Sequence, residues 1–106
     1  MSYRITVRRG PNVDHERAGS PEEAIEIAKR YVRGSRRRDA VEAMGRRYES
    51  ENLVAIRIEI KGPGGPAGLD VSGDGGVIAW RGRVFRTQLP GDDPYEALAQ
   101  RLSVGP

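Results

Sequence analysis

The chain has 106 residues, a formal net charge of +3 at pH 7 and no cysteine. This length predicts one domain over residues 1–106 with a single hydrophobic core, and the lack of cysteine excludes disulfides, thiolate metal sites and cysteine nucleophiles. No apolar run approaches the roughly 18 residues of a membrane span and the N-terminus lacks a signal-peptide pattern, so we expect a cytoplasmic protein that makes no membrane contact.

Two strands are predicted in the first 18 residues. Tyr3, Ile5 and Val7 alternate with polar residues, which is the period of a half-buried strand. A Gly-Pro-Asn turn signal follows at 10–12. The highly charged segment 13–18 can pair back on the first strand only as a short edge strand.

A helix is predicted over about residues 21–33. Ser20 can cap the free backbone N–H groups, Pro21 suits the first helical position, and Glu23 can close a capping box. Apolar residues recur along this segment at helical spacing. Gly34 is typical of a helix C-terminus, so we expect the helix to stop there.

A second helix is predicted from Arg36 or Asp39 to about Glu49. Its apolar residues follow helical spacing, and a second capping-box pattern begins at Asp39. The arginine triplet 36–38 would then lie at a corner between two helices or on the first turn of the second one. Cations at a helix N-terminus oppose the helix dipole, and a bound anion would relieve that conflict.

The second half of the chain predicts four strands and a third helix. The strands are expected at 53–61, 69–72, 76–80 and 83–89, and the helix is expected to begin at Asp93-Pro94 and to end at 105–106. Residues 62–68, Gly-Pro-Gly-Gly-Pro-Ala-Gly, are predicted to form a flexible Gly/Pro loop. The element order predicts an α+β fold, with an antiparallel or mixed sheet of about five to six short strands and three helices.

Positive charge is concentrated between Lys29 and Arg47, where eight basic residues face only Asp39 and Glu42. Such a block can attract phosphate or an acidic partner. It is equally explained as the solvated outer face of two amphipathic helices, and the sequence leaves both interpretations open. The candidate nucleic-acid-binding or anion-binding residues are Arg30, Arg33, Arg36, Arg37, Arg38, Arg46 and Arg47.

Two motifs resemble ligand sites but fail on local geometry. Residues 62–67 match the spelling of a dinucleotide fingerprint, but Pro63 and Pro66 lack the N–H groups that bind pyrophosphate, and no helical pattern follows. His15 lies between two acidic residues, yet neighbouring residues on an extended segment point to opposite faces and cannot converge on a metal. We therefore predict no cofactor and no metal site.

Trp80 and Phe85 lie in a segment that interleaves aromatic and basic residues. Exposed aromatic faces beside arginine would form a platform for single-stranded nucleic acid. The same alternation fits core packing, and because buried aromatic residues dominate core energetics, we favour the core for both. Arg81, Arg83 and Arg86 would then form a solvated edge.

The sequence thus favours a small non-catalytic binding protein. With one histidine, no serine in a nucleophile elbow and no pattern that marks a pair of catalytic carboxylates, an enzyme ranks third among the hypotheses, and we predict that the protein is not one. The leading hypothesis is contact with nucleic-acid phosphates through the basic helix–helix corner. The alternative is a protein–protein adaptor or assembly component that binds an acidic partner or self-associates as a homo-oligomer.

Overall fold

The computed structural model describes residues 2–43, 54–73, 75–83 and 85–103, and of residues 35–43 and 54 only the backbone. The elements in chain order are β1 (Tyr3–Arg9), β2 (Asn12–Ala18), α1 (Pro21–Ala43), β3 (Val54–Gly62), β4 (Gly65–Ser72), β5 (Val77–Arg81), β6 (Thr87–Gln88) and α2 (Pro94–Leu102). The strands form one antiparallel sheet in the order β2-β1-β3-β4-β5-β6. The predicted α+β class is confirmed, but the described residues contain two helices where the sequence predicted three.

Both helices pack on the same face of the sheet. α1 contacts β1, β2 and β3, and α2 contacts β4 and β5. Most apolar strand residues that face the helices are buried, and Ile56, Ile58 and Ile60 are at most 1% exposed. Burying a side chain of this size stabilises the fold by about 1.5–3 kcal/mol, so these three positions anchor the middle of the core.

The predicted start of α1 is confirmed. The Ser20 Oγ accepts a hydrogen bond from the Glu23 N–H at 3.1 Å, and the Glu23 Oε2 accepts one from the Gly19 N–H at 3.0 Å. The first bond satisfies a donor that the helix itself leaves unpaired, and the second ties Glu23 to the residue before the cap, one position earlier than in a standard capping box.

The predicted stop at Gly34 is wrong, because α1 continues through Gly34 to Ala43. Gly34 does not adopt the positive φ of a helix-terminating glycine. One glycine inside a helix costs only about 1 kcal/mol, and arginine is a good helix former. The triplet 36–38 therefore lies within a helix and not at a helix–helix corner, while the predicted helical segment 44–49 lies outside the described residues.

The predicted flexible loop at 62–68 is also wrong. β3 extends to Gly62, residues 63 and 64 form the turn, and β4 begins at Gly65, whose φ is +99°. Gly68 lies in the sheet directly beneath the Trp80 ring, and a Cβ there would meet the Cζ2 of that ring at 2.7 Å. Small residues are needed here for close packing. A Gly/Pro-rich composition is compatible both with such a closely packed strand and with a loop, so composition alone does not decide between them.

The last third of the chain matches the prediction only in part. The strand expected over 83–89 is reduced to the two residues of β6. The start of α2 is confirmed, since the Asp93 Oδ1 accepts hydrogen bonds from the N–H groups of Tyr95 at 2.9 Å and Glu96 at 3.3 Å. α2 ends at Leu102 with Ser103 as its C-cap, before the end predicted at 105–106, and those two residues lie outside the described ones.

Candidate functional site

The face of the sheet opposite α1 and α2 is not covered by any helix of the described chain. Strand alternation places on this helix-free face the residues that lie between the core residues of each strand. Its charged members are five basic side chains and two carboxylates: Arg4, Arg8, Arg17, Arg57, Lys61, Glu59 and Asp70. The face is therefore basic, although neither helix contributes to it.

Three of these cations form a row across neighbouring strands, which we call the basic row. Arg4 on β1 lies directly opposite Arg17 on β2 and directly opposite Lys61 on β3. Side chains in such pairs have Cβ atoms about 4.5–5.5 Å apart, and like charges placed there destabilise a sheet. All three side chains are exposed. The basic row thus concentrates positive charge without a gain in stability.

The basic row borders a depression of about 550 Å³. Thr6 and His15 also line it, and the His15 Nδ1 lies 3.4 Å from the Thr6 Oγ1. Ile5 and Glu16 also line it, but they are paired opposite each other with Ile5 buried, so alternation directs the Glu16 carboxylate toward the helix side. The depression therefore presents cationic and neutral polar groups.

Neutralisation of the basic row is incomplete. The Lys61 Nζ lies 3.7 Å from the Glu59 Oε1. Among the described residues, Arg4 and Arg17 have no carboxylate within ion-pair distance. Two guanidinium groups thus remain able to bind an anion bidentately, for which arginine geometry is well suited.

Arg57, on the same face, is by contrast fully engaged. Its Nε and Nη2 donate to the two carboxylate oxygens of Asp70 at 2.9 and 3.1 Å. The hydrogen bond to Asp70 is the main reason that the pKa of Arg57 is raised above its usual value. Asp70 also accepts a hydrogen bond from the Trp80 Nε1 at 3.0 Å. This cluster is a structural element of the face and not a vacant cation site.

Trp80 is buried, with 3% of its surface exposed, but it does not lie in the core between the sheet and the helices. Its neighbours place it on the helix-free face, where its ring lies over Gly68 and the Arg86 guanidinium lies 4.8 Å from the ring centroid. The prediction that Trp80 is buried is confirmed, but the residue lies on the helix-free face and not in the core between the sheet and the helices. The sequence cannot separate the two faces because both require the same alternation.

The prediction that Phe85 packs in the core is wrong, because 88% of its surface is exposed. The alternation that pointed inward assumed a strand over 83–89, whereas β6 begins only at Thr87. Phe85 lies instead in the turn between β5 and β6. Arg81, Arg83 and Arg86 are exposed around it, as predicted.

Those anion-binding candidates from the sequence that the structure describes all lie on α1. Arg30 and Arg33 are exposed, and the Arg33 Nε donates to the Lys29 carbonyl oxygen at 3.3 Å. Lys29 itself pairs with Glu26 at 3.8 Å and lies over the Tyr95 ring at 5.3 Å. The backbone of Arg36, Arg37 and Arg38 continues the same helix, and Arg46 and Arg47 lie outside the described residues.

A smaller depression of about 240 Å³ lies between α1 and β2. Tyr31 lines it, with the Arg9 guanidinium 5.7 Å from the ring centroid. Burial, followed by the nearby charges of Glu16 and Asp14, raises the pKa of Tyr31. Arg9 is held here by an ion pair with Asp14 at 2.8 Å, so acidic and basic groups are balanced around this depression.

His15 and its acidic neighbours diverge, as the sequence predicted. His15 lies opposite Thr6 on the helix-free face, whereas Asp14 and Glu16 lie opposite buried residues. The part of the chain that the structure describes holds no group of three His, Cys, Asp or Glu side chains able to bind a metal. No helix of that part is both long and apolar enough to cross a bilayer.

Comparison of the chain with protein-family models, with curated proteins and with solved structures found no match.

Proposed function

We propose that this protein is a non-catalytic binding protein that contacts nucleic-acid phosphates through the basic row. The observation that carries the proposal is the placement of Arg17, Arg4 and Lys61 opposite one another on three adjacent strands, beside a polar depression. Such a row is unfavourable for the free protein. A bound phosphate would replace repulsion between the cations by attraction.

The row supports binding of modest strength. Each phosphate contact releases condensed counterions, so the logarithm of the binding constant falls linearly with the logarithm of the salt concentration. Each contact adds about 0.9 to the steepness of this slope on duplex DNA and about 0.7 on a single strand. Three contacts place the protein in the range of non-specific binders, with Kd values of about 10⁻⁴–10⁻⁶ M at physiological salt. No base-reading side chain is needed for this mode.

The predicted residues on α1 form a second candidate surface for the same function. Arg30 and Arg33 are exposed on the helix layer, on the other side of the sheet from the basic row. The row supports the proposal better because strand pairing places its three cations directly opposite one another beside the larger of the two depressions, whereas the Arg33 Nε already donates to the Lys29 carbonyl oxygen. Because the two surfaces lie on opposite sides of the sheet, substitutions in one can be tested without changing the other.

The test compares two double variants with the same change in net charge. Arg4→Gln with Arg17→Gln neutralises the row, and Arg30→Gln with Arg33→Gln neutralises the helix surface. Fluorescence anisotropy of labelled DNA over a range of salt concentrations measures affinity and salt slope. We expect the row variant alone to lower the slope, by about 1.4 on single-stranded DNA.

Two other results would change the conclusion. Loss confined to the helix variant would move the site to α1, as the sequence predicted. Equal affinity of all three proteins, or no binding by the unmodified protein at low salt, would contradict the proposal and favour the alternative, a protein–protein adaptor that binds an acidic partner.

A further inference from the structure

We propose that Phe85 stacks on a nucleic-acid base, and that the ligand of the basic row is therefore a single strand and not a duplex. This inference rests on the proposed function and specifies its ligand. It starts from an aromatic side chain that the fold exposes almost completely.

The turn that carries Phe85 lies in line with the basic row. Lys61 is paired with Pro66 on β4, and the Pro66 carbonyl oxygen accepts a hydrogen bond from the Gly82 N–H at 3.1 Å. Arg17, Arg4, Lys61 and Pro66 thus follow one another across four strands, and Gly82, the residue after β5, continues the line at the position of a fifth. At 4.7–4.9 Å per strand, this strip is about 19 Å long.

The turn is held by its backbone and does not depend on Phe85 for packing. Gly82 has a φ of +113°, and a Cβ at this position would meet the carbonyl oxygen of Phe85 at 2.3 Å. This approach requires glycine. The Phe85 ring remains 88% exposed, so it contributes almost no buried apolar area to the stability of the fold.

The surroundings of Phe85 fit a nucleic-acid strand. Arg83 and Arg86 are exposed on the same hairpin, and Arg86 adds positive charge to the helix-free face because its guanidinium lies over the Trp80 ring. Arg81 lies opposite buried Ala67, so alternation directs it to the helix side. Proteins that bind single strands combine a basic track with aromatic rings on which bases stack. Stacking on a protein ring requires an unpaired base, because bases of a duplex are stacked on each other. Trp80 cannot take this role, since it is buried beneath Arg86.

The test measures binding of the full chain to three probes. The probes are an oligothymidylate of about 15 nucleotides, an abasic oligomer of equal length, and a duplex of equal length. The variants are Phe85→Ala, Phe85→Tyr, and Ile78→Ala as the matched control. Ile78 is another exposed apolar residue, 46% exposed, and lies on the helix-free face in β5, away from the turn.

We expect Phe85→Ala to weaken binding of the oligothymidylate by at least about five-fold, the lower limit for loss of one stacked base. Binding of the abasic oligomer and the duplex should not change, Phe85→Tyr should restore the affinity, and Ile78→Ala should have no effect on any probe. Thermal melts would verify that each variant is folded.

The outcomes separate this inference from the proposed function. If the protein binds all three probes and Phe85→Ala changes none, the phosphate contact stands and the stacking role is wrong. An equal loss on all probes, or from Ile78→Ala as well, would also overturn stacking. If the unmodified protein binds no probe at low salt, both proposals fail.

Discussion

Asp70 connects three strands of the sheet through side-chain hydrogen bonds. From β4 it accepts two bonds from Arg57 on β3 and one from the Trp80 indole on β5. The Arg57 and Asp70 side chains retain 34% and 20% of their exposure, so solvent weakens the attraction between the charges. The hydrogen bond to buried Trp80 is the larger contribution, because an indole N–H without a partner is costly.

Asp70→Ala should lower the free energy of unfolding by about 1–3 kcal/mol, the cost of a buried polar group left without a partner. Asp70→Asn should lose less, because its amide oxygen can still accept from Trp80. Urea unfolding followed by the fluorescence of Trp80, the single tryptophan of the chain, would measure both. Equal stability of the alanine variant and the unmodified protein would contradict this role.

At the scale of elements, α1 is the largest departure from the sequence prediction. Gly34 was expected in the left-handed conformation of a helix end, but the helix continues past it. Among the described residues, a Cβ at Gly34 would meet no atom within 4 Å. The glycine therefore adds conformational freedom to the unfolded chain without making a close contact in that part of the structure.

Gly34→Ala should raise the free energy of unfolding by about 0.4–1 kcal/mol. Gly65→Ala is the matched control, because a Cβ there also meets open space while the φ of Gly65 is +99°. Alanine at that φ is strained, so the control should be destabilised. Chemical denaturation would give both values, and a loss of stability in Gly34→Ala would support the helix end that the sequence indicated.

At the scale of the whole molecule, the sheet leaves β2 as a seven-residue edge strand. Two copies that paired antiparallel about His15 would place Asp14 of each opposite Glu16 of the other. Like charges so placed destabilise a sheet, and charged residues are a common protection of edge strands. In this register the charges of β2 therefore oppose self-association through the edge strand, which is one form of the homo-oligomer that the sequence left open.

The protein should therefore sediment as a monomer at micromolar concentration, whereas the double variant Asp14→Thr with Glu16→Val should self-associate. The variant replaces both repelling pairs by residues that favour strands. Sedimentation equilibrium at low and high salt would measure the mass. A dimer of the unmodified protein that persists in the presence of the β2 charges would favour the assembly hypothesis.

The sequence alone determined the features that depend on neighbours along the chain. The first strand, the edge strand, the isoleucine-rich strand and the two capped helix starts were predicted, because periodicity and capping are local. Gly34 and the Gly/Pro segment 62–68 were misread, because a glycine permits several conformations and its neighbours decide which one forms. Phe85 was misplaced because the strand assumed around it is only two residues long.

Only the tertiary structure decided the candidate site. Arg4, Arg17 and Lys61 come from three separate strands, and nothing in their local sequence indicates that they lie opposite one another. The basic cluster that the sequence does show is the one on α1, because its residues are neighbours along the chain and can be recognised without knowing which strands pair. Strand pairing brings distant residues together at about 5 Å, and the charge of the helix-free face follows from that pairing.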